Sequence, residues 1–116
     1  MNEDITEKKY AETSELPNKN IFTPKKNLLI NDPKTILMLN NAKKRVTLEL
    51  LLNQEKTVMQ LSKETGWNPG TIKRHVSDLY KGNLITVSRI KYNEHRTKST
   101  FYRATAKKFI FRYEWP

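Results

Sequence analysis

The chain has 116 residues, of which 36% are hydrophobic, and a mean hydropathy of −0.78, which fits one small domain with part of its length outside any core. No apolar run is long enough to span a bilayer, and with no cysteine there is no disulfide framework, thiolate chemistry or cysteine-based metal site. A formal charge of +10 calls for a polyanionic partner, most simply nucleic acid, although an anionic membrane surface attracts such a chain too. Residues 1–30 carry five acids and five lysines, so all the excess lies further on. From Asn68 to Arg112 eleven basic residues face two acids, Asp78 and Glu94, a net +9.

Residues 1–27 are polar, with isolated apolar side chains and two prolines, Pro17 and Pro24. Such a composition rarely supports a core, so a flexible arm is expected there. Its end, through Ile21, Phe22 and Leu28 to Ile30, is placed to dock on a folded domain covering 28–116. The N-terminus lacks a basic region followed by an apolar core, so no secretory signal is read and a reducing cytoplasm suits the chain.

Asn31-Asp32-Pro33 reads as a helix start: a capping side chain, then proline at the first helical position. Ile36 to Leu39 make a short apolar helix, and Asn40-Asn41 breaks it. A second helix is predicted from Ala42 to about Leu52, burying Val46, Leu50 and Leu51, with Leu48 and Leu52 widening the face. Lys43, Lys44 and Arg45 crowd its first turn, the unfavourable end of the helix dipole. Solubility and a phosphate contact explain them equally well.

Thr57-Val58-Met59-Gln60 has the form of a capping box, and Gly66 ends the short helix it starts. Gly66-Trp67-Asn68 then makes a tight turn into a helix over 68–81. Asn68 is its N-cap, Pro69 sits at the first helical position, and Gly82 is the expected left-handed residue at its end. Ile72, Val76 and Leu79 form one apolar stripe; Thr71, Lys73, Arg74, Ser77 and Lys81 fall outside it. Two helices joined through a short glycine-containing turn are the helix-turn-helix signature, whose second helix enters the major groove.

After Asn83 the pattern becomes β-branched. Leu84–Tyr92 and Thr100–Ala104 read as strands, joined by a polar stretch, 93–99, with no tight-turn dipeptide. A basic hairpin can be an ordinary charged loop, but because this one directly follows a helix-turn-helix a wing is expected, which would place Arg96 and Lys98 on the DNA backbone or in the minor groove. The end, 106–116, alternates Phe109, Phe111 and Tyr113 with Ile110, Arg112 and Glu114, which suggests a strand, with a short helix as the alternative. This aromatic end, with Trp115, either closes the core against the first helix or forms a dimer surface.

From about Asn40 to Ala104 the chain resembles a winged-helix regulator of the ArsR type. The resemblance rests on Lys44-Arg45-Val46-Thr47-Leu48-Glu49-Leu50-Leu51, on Thr57 to Gly66, on Gly70-Thr71-Ile72-Lys73-Arg74-His75-Val76, on Leu79 to Ile85 and on Phe101-Tyr102-Arg103. It implies a homodimeric transcription factor, usually a repressor, with Thr71, Lys73, Arg74 and Ser77 toward DNA. Lys73 stands where the family commonly has serine, so base preference does not carry over. His75 matches a common family histidine, whose implied role is packing and a hydrogen bond. Many members sense metals, but here His75 and His95 are the only histidines, so no metal effector and no cofactor are expected.

The expectation is therefore an α+β, mainly α, winged helix-turn-helix of three to four helices and a β-hairpin wing, binding double-stranded DNA as a cytoplasmic homodimer. Asn68, Thr71, Lys73, Arg74, Ser77, Lys81, Arg96 and Lys98 are the candidate DNA-binding residues, with Lys73 and Arg74 best suited to guanine edges. No phosphate loop or nucleophile constellation points to an enzyme. Two alternatives remain open: a sequence-tolerant architectural DNA-binding protein and a winged-helix protein–protein adaptor.

Overall fold

The structure, a computed structural model, describes residues 22–114. In chain order it contains β1 (Leu28–Ile30), α1 (Pro33–Met38), α2 (Ala42–Leu50), α3 (Val58–Thr65), α4 (Pro69–Lys81), β2 (Ile85–Tyr92), β3 (Lys98–Ala104) and β4 (Phe109–Phe111). This is the α+β winged helix-turn-helix expected. Strands β2 and β3 pair antiparallel, from Ile85 opposite Ala104 to Tyr92 opposite Lys98. Strands β1 and β4 pair in parallel as a separate two-stranded sheet, Leu28 opposite Phe109 and Ile30 opposite Phe111. The terminal segment is thus a strand.

The core gathers Leu48, Leu51, Leu61, Ile72, Val76, Leu79, Leu84, Ile85 and Ala104, with Ile30 closing it from β1. Half-buried Phe109 packs on it, and Phe111 is more exposed. Trp115, also considered for this role, lies outside the described residues, as do Ile21 and most of the expected arm. Lys25, on the arm side of the expected boundary, exchanges backbone hydrogen bonds with Thr105 (2.9 Å) and Lys107 (2.8 Å), and Pro24 beside it is buried.

The helix boundaries follow local chemistry. Asp32 precedes α1, but its carboxylate accepts from the Thr35 hydroxyl (2.9 Å) instead of a backbone N–H. Asn41 does more than break the chain: its side chain accepts from Lys44 N–H at the start of α2. Helix α2 sits rotated from the expected face. Thr47, Leu48 and Leu51 are buried, while Val46 is exposed. The Thr47 hydroxyl donates to the Lys43 carbonyl (2.8 Å), and a hydroxyl so satisfied can enter a core.

The Thr57–Gln60 capping box forms in full, each side chain accepting from the other's backbone N–H, at 2.9 and 3.1 Å. Gly66 ends α3 in the left-handed conformation, φ +77°. Gly82 departs from expectation. Its φ is −83°, and Asn83 takes the left-handed position at φ +64°. Leu84 N–H then reaches the Leu79 carbonyl and Asn83 N–H the Tyr80 carbonyl, both at 3.0 Å, which is the Schellman pattern, with Leu79 and Leu84 both buried in the core. Gly82 is small for another reason: a Cβ there would lie 3.1 Å from Met38 Cε and 3.5 Å from Thr35 Cγ2, so glycine lets α1 approach the end of α4.

Candidate nucleic-acid interface

Helix α4 is held at its start by Asn68, whose side-chain oxygen accepts from Gly70 N–H at 2.7 Å. A Cβ on residue 70 would lie 3.1 Å from that oxygen, so Gly70 keeps the cap tight. The turn before it is braced by the Ser62 hydroxyl on the Trp67 carbonyl (2.6 Å) and by Trp67 N–H on the Thr65 hydroxyl (3.1 Å). Ile72, His75, Val76 and Leu79 form the buried face. At 3.6 residues per turn the opposite face is centred on Gly70, Arg74, Ser77 and Lys81, all of them exposed. Lys73 is exposed on one flank; Thr71 is half-buried on the other. The five helix positions predicted for DNA thus share one side of α4, with Thr71 at its margin and the Asn68 oxygen already engaged as a cap.

The basic first turn of α2 has a role neither sequence explanation foresaw. Lys44 pairs with Asp78 of α4 at 3.3 Å, Arg45 donates to the Leu39 carbonyl at 2.6 Å, and Lys43 lies over the Trp67 ring, 5.2 Å from its centroid. Each cation is used to join neighbouring elements. Asp78 is therefore answered from α2, leaving the cations of the α4 outer face without an acid among the described residues.

His75 packs as expected, only 4% exposed, but Nδ1 is buried and has no hydrogen-bond partner among the described residues. Burial pushes its pKa below the usual 6.5; Lys44, Arg74 and Lys43 push the same way, and Asp78 opposes them. The neutral ring is the form the core accepts.

The wing tip is shorter than the 93–99 stretch expected. It runs from Asn93 to Thr97, because Lys98 already belongs to β3 opposite Tyr92. Asn93 builds it: its side-chain oxygen accepts from His95 and Thr97 N–H, both at 2.8 Å, while Arg96 N–H donates to its carbonyl at 2.9 Å. Arg96 itself is left-handed, φ +62°, where glycine is the usual occupant. Arg96 and Lys98 are exposed.

The wing is tied to the helices by residues that spacing did not reveal. At a bulge between Val87 and Arg89, the Ser88 hydroxyl donates to Glu55 (2.6 Å) and Arg89 Nε donates to the other oxygen of the same carboxylate. Arg89 also lies over the Phe101 ring, 4.2 Å from its centroid. One residue on, Lys56 exchanges backbone hydrogen bonds with Tyr102 (2.8 and 3.0 Å), and its ammonium meets Glu64 at 2.7 Å. The only sequence signal was a pair of acids, Glu55 and Glu64, around a lysine.

Residues 43–87 match the family model described as bacterial regulatory protein, arsR family. The helix-turn-helix of this chain is thus similar to that of the arsR family. The matched segment spans α2, α3, α4 and the start of the wing, the elements that carry the candidate interface. Among solved structures, the chain is similar to the homodimeric winged helix-turn-helix DNA-binding domain of a possible ArsR-family transcriptional regulator from Mycobacterium bovis. That match has 22% identity and a TM-score of 0.50 over 64% of this chain and 63% of the other. It is also similar to the crystal structure of a possible transcriptional regulatory protein from Mycobacterium bovis, at 23% identity and a TM-score of 0.51 over 64% and 73% of the two chains. At such identities the likeness shows the winged-helix fold. The chain spans slightly under two thirds of the first of these structures. No curated protein sequence matches the chain.

Proposed function

We propose that this ArsR-type chain is a cytoplasmic, homodimeric transcriptional regulator that reads B-form DNA with α4 and holds its backbone or minor groove with the wing. One observation carries the reading: the cations that bind the fold together (Lys44, Lys56, Arg89) are separate from those exposed on the α4 outer face and at the wing (Lys73, Arg74, Lys81, Arg96, Lys98). In this account Lys73 and Arg74 reach base edges, Thr71 and Ser77 make smaller polar or methyl contacts, and Lys81, Arg96 and Lys98 neutralise phosphates. The homodimeric state of the first similar domain supports a dimer, and the family resemblance favours repression. Catalysis and a metal effector are not part of the proposal: there is no cysteine, and His75 sits in the core while His95 is exposed on the wing tip.

Selection of bound duplexes from a random pool tests it. The expected result is an enriched sequence repeated in half-sites about 34–36 Å apart or a multiple of that. With about 6–10 phosphate contacts, affinity falls roughly 10³–10⁵-fold between about 50 and 200 mM salt. A pool that stays random at every salt concentration points to an architectural protein instead. Negligible binding to any duplex at low salt points to an adaptor.

A further inference from the structure

The β1–β4 sheet is left with an open edge. Leu28 N–H donates to the Lys108 carbonyl and Arg112 N–H to the Ile30 carbonyl, both at 3.0 Å, so residues 108, 110 and 112 turn their backbone groups toward β1. Phe109 and Phe111 turn theirs away, and among the described residues no strand meets them. An edge of this kind is a template for another strand, and two strands of three residues gain much from extension. The rings of Phe109 and Phe111 lie on the same side, 6.4 Å apart, and Phe111 and Tyr113 are 41% and 60% exposed.

We propose that β4 pairs antiparallel with β4 of a second copy about a two-fold axis through Phe111, extending the strand to Glu114 and making a continuous four-stranded sheet. This rests on the homodimer proposed above and names its surface. The sequence of the strand selects both occupant and register. With Phe111 opposite its own copy, Phe109 opposes Tyr113 and Lys108 opposes Glu114, each pair occurring twice. Aromatic and opposite-charge pairs across strands are the favourable ones. The neighbouring register, centred on Ile110, would set Lys108 against Arg112, a like-charge pair. The strand is thus complementary to itself in one register.

The test is sedimentation equilibrium of the full chain at micromolar concentrations. Wild type is expected to be a dimer. Glu114→Lys and Lys108→Glu, both at exposed positions, each create like-charge pairs twice across the axis and should raise the dimer dissociation constant roughly tenfold. The double swap, Lys108→Glu with Glu114→Lys, should restore it. A monomeric wild type, as when residues 1–21 of the same chain fill the edge, overturns the proposal. So does a dimer indifferent to Glu114→Lys, or a double swap that behaves as the sum of its single changes. Duplex binding by the same samples separates the two readings. A monomer that still binds DNA contradicts the interface alone, and a dimer that ignores DNA contradicts the functional reading alone.

Discussion

Helix α4 and the wing present the same kind of charge on differently supported scaffolds. The helix is capped by Asn68, closed by the Schellman turn at Asn83 and Leu84, and buried along Ile72, His75, Val76 and Leu79. The wing tip is built around Asn93, with Arg96 held left-handed beyond it, and its attachment to the helices runs through Glu55 and the backbone of Lys56. A rigid face can discriminate between bases, because discrimination depends on fixed hydrogen-bond geometry. A cationic tip needs only to bring charge near phosphates, which tolerates mobility. Under the proposed function, the difference divides the work: specificity on the helix, affinity shared with the wing.

The largest expected effect breaks the helix side of the comparison. Leu79 is fully buried under the Schellman turn, so Leu79→Ala should cost about 2–5 kcal/mol in urea unfolding. A loss below about 1 kcal/mol would mean that α4 is not held from beneath as described. Next, Arg96→Gly should stabilise the protein by about 1 kcal/mol, because it removes a side chain from a left-handed position. Under the proposed function the same change also removes a phosphate contact and should weaken duplex binding, so stability and affinity should move in opposite directions. If both fell together, the tip would be a packed element and not a strained, presented one.

The smallest effect is a pH dependence. Since the folded state holds His75 below its usual pKa of 6.5, unfolded chains take up that proton first as pH falls. The contribution is fully present above about pH 6.5 and is lost as pH drops through that value toward the folded pKa. Thermal melts between about pH 8 and 5 should show wild-type stability declining on the acid side, and His75→Gln should reduce the decline.

The helix-turn-helix was legible because its signals are local. The Thr57–Gln60 box, Gly66, Asn68-Pro69 and the Ile72, Val76, Leu79 stripe each declare themselves within a turn or two of helix. Where two adjacent residues could do one job, spacing could not choose. Gly82 looked like the left-handed residue, yet Asn83 took that position, and the glycine serves instead to leave space for α1. The rotation of α2 toward Thr47 depended on a hydroxyl finding the Lys43 carbonyl. The Glu55 anchor joins residues 33 and 34 positions apart, and the β1–β4 pairing joins opposite ends of the described chain, so neither leaves a periodic trace. For the interface itself, the outer face of α4 was legible, whereas the shortened wing tip and the structural use of Lys44 and Arg89 required the fold.

The division of labour is tested most directly by measuring affinities for a selected duplex and a random duplex across a salt series. The proteins compared are wild type, Lys73→Ala/Arg74→Ala and Arg96→Ala/Lys98→Ala. The helix pair should weaken the selected site more than the random one, by about 1–3 kcal/mol for each base-reading side chain removed. The wing pair should weaken both duplexes alike and lower the salt slope by about 2. Equal weakening on both duplexes from the helix pair, or unchanged binding from both pairs at moderate salt, would contradict the account.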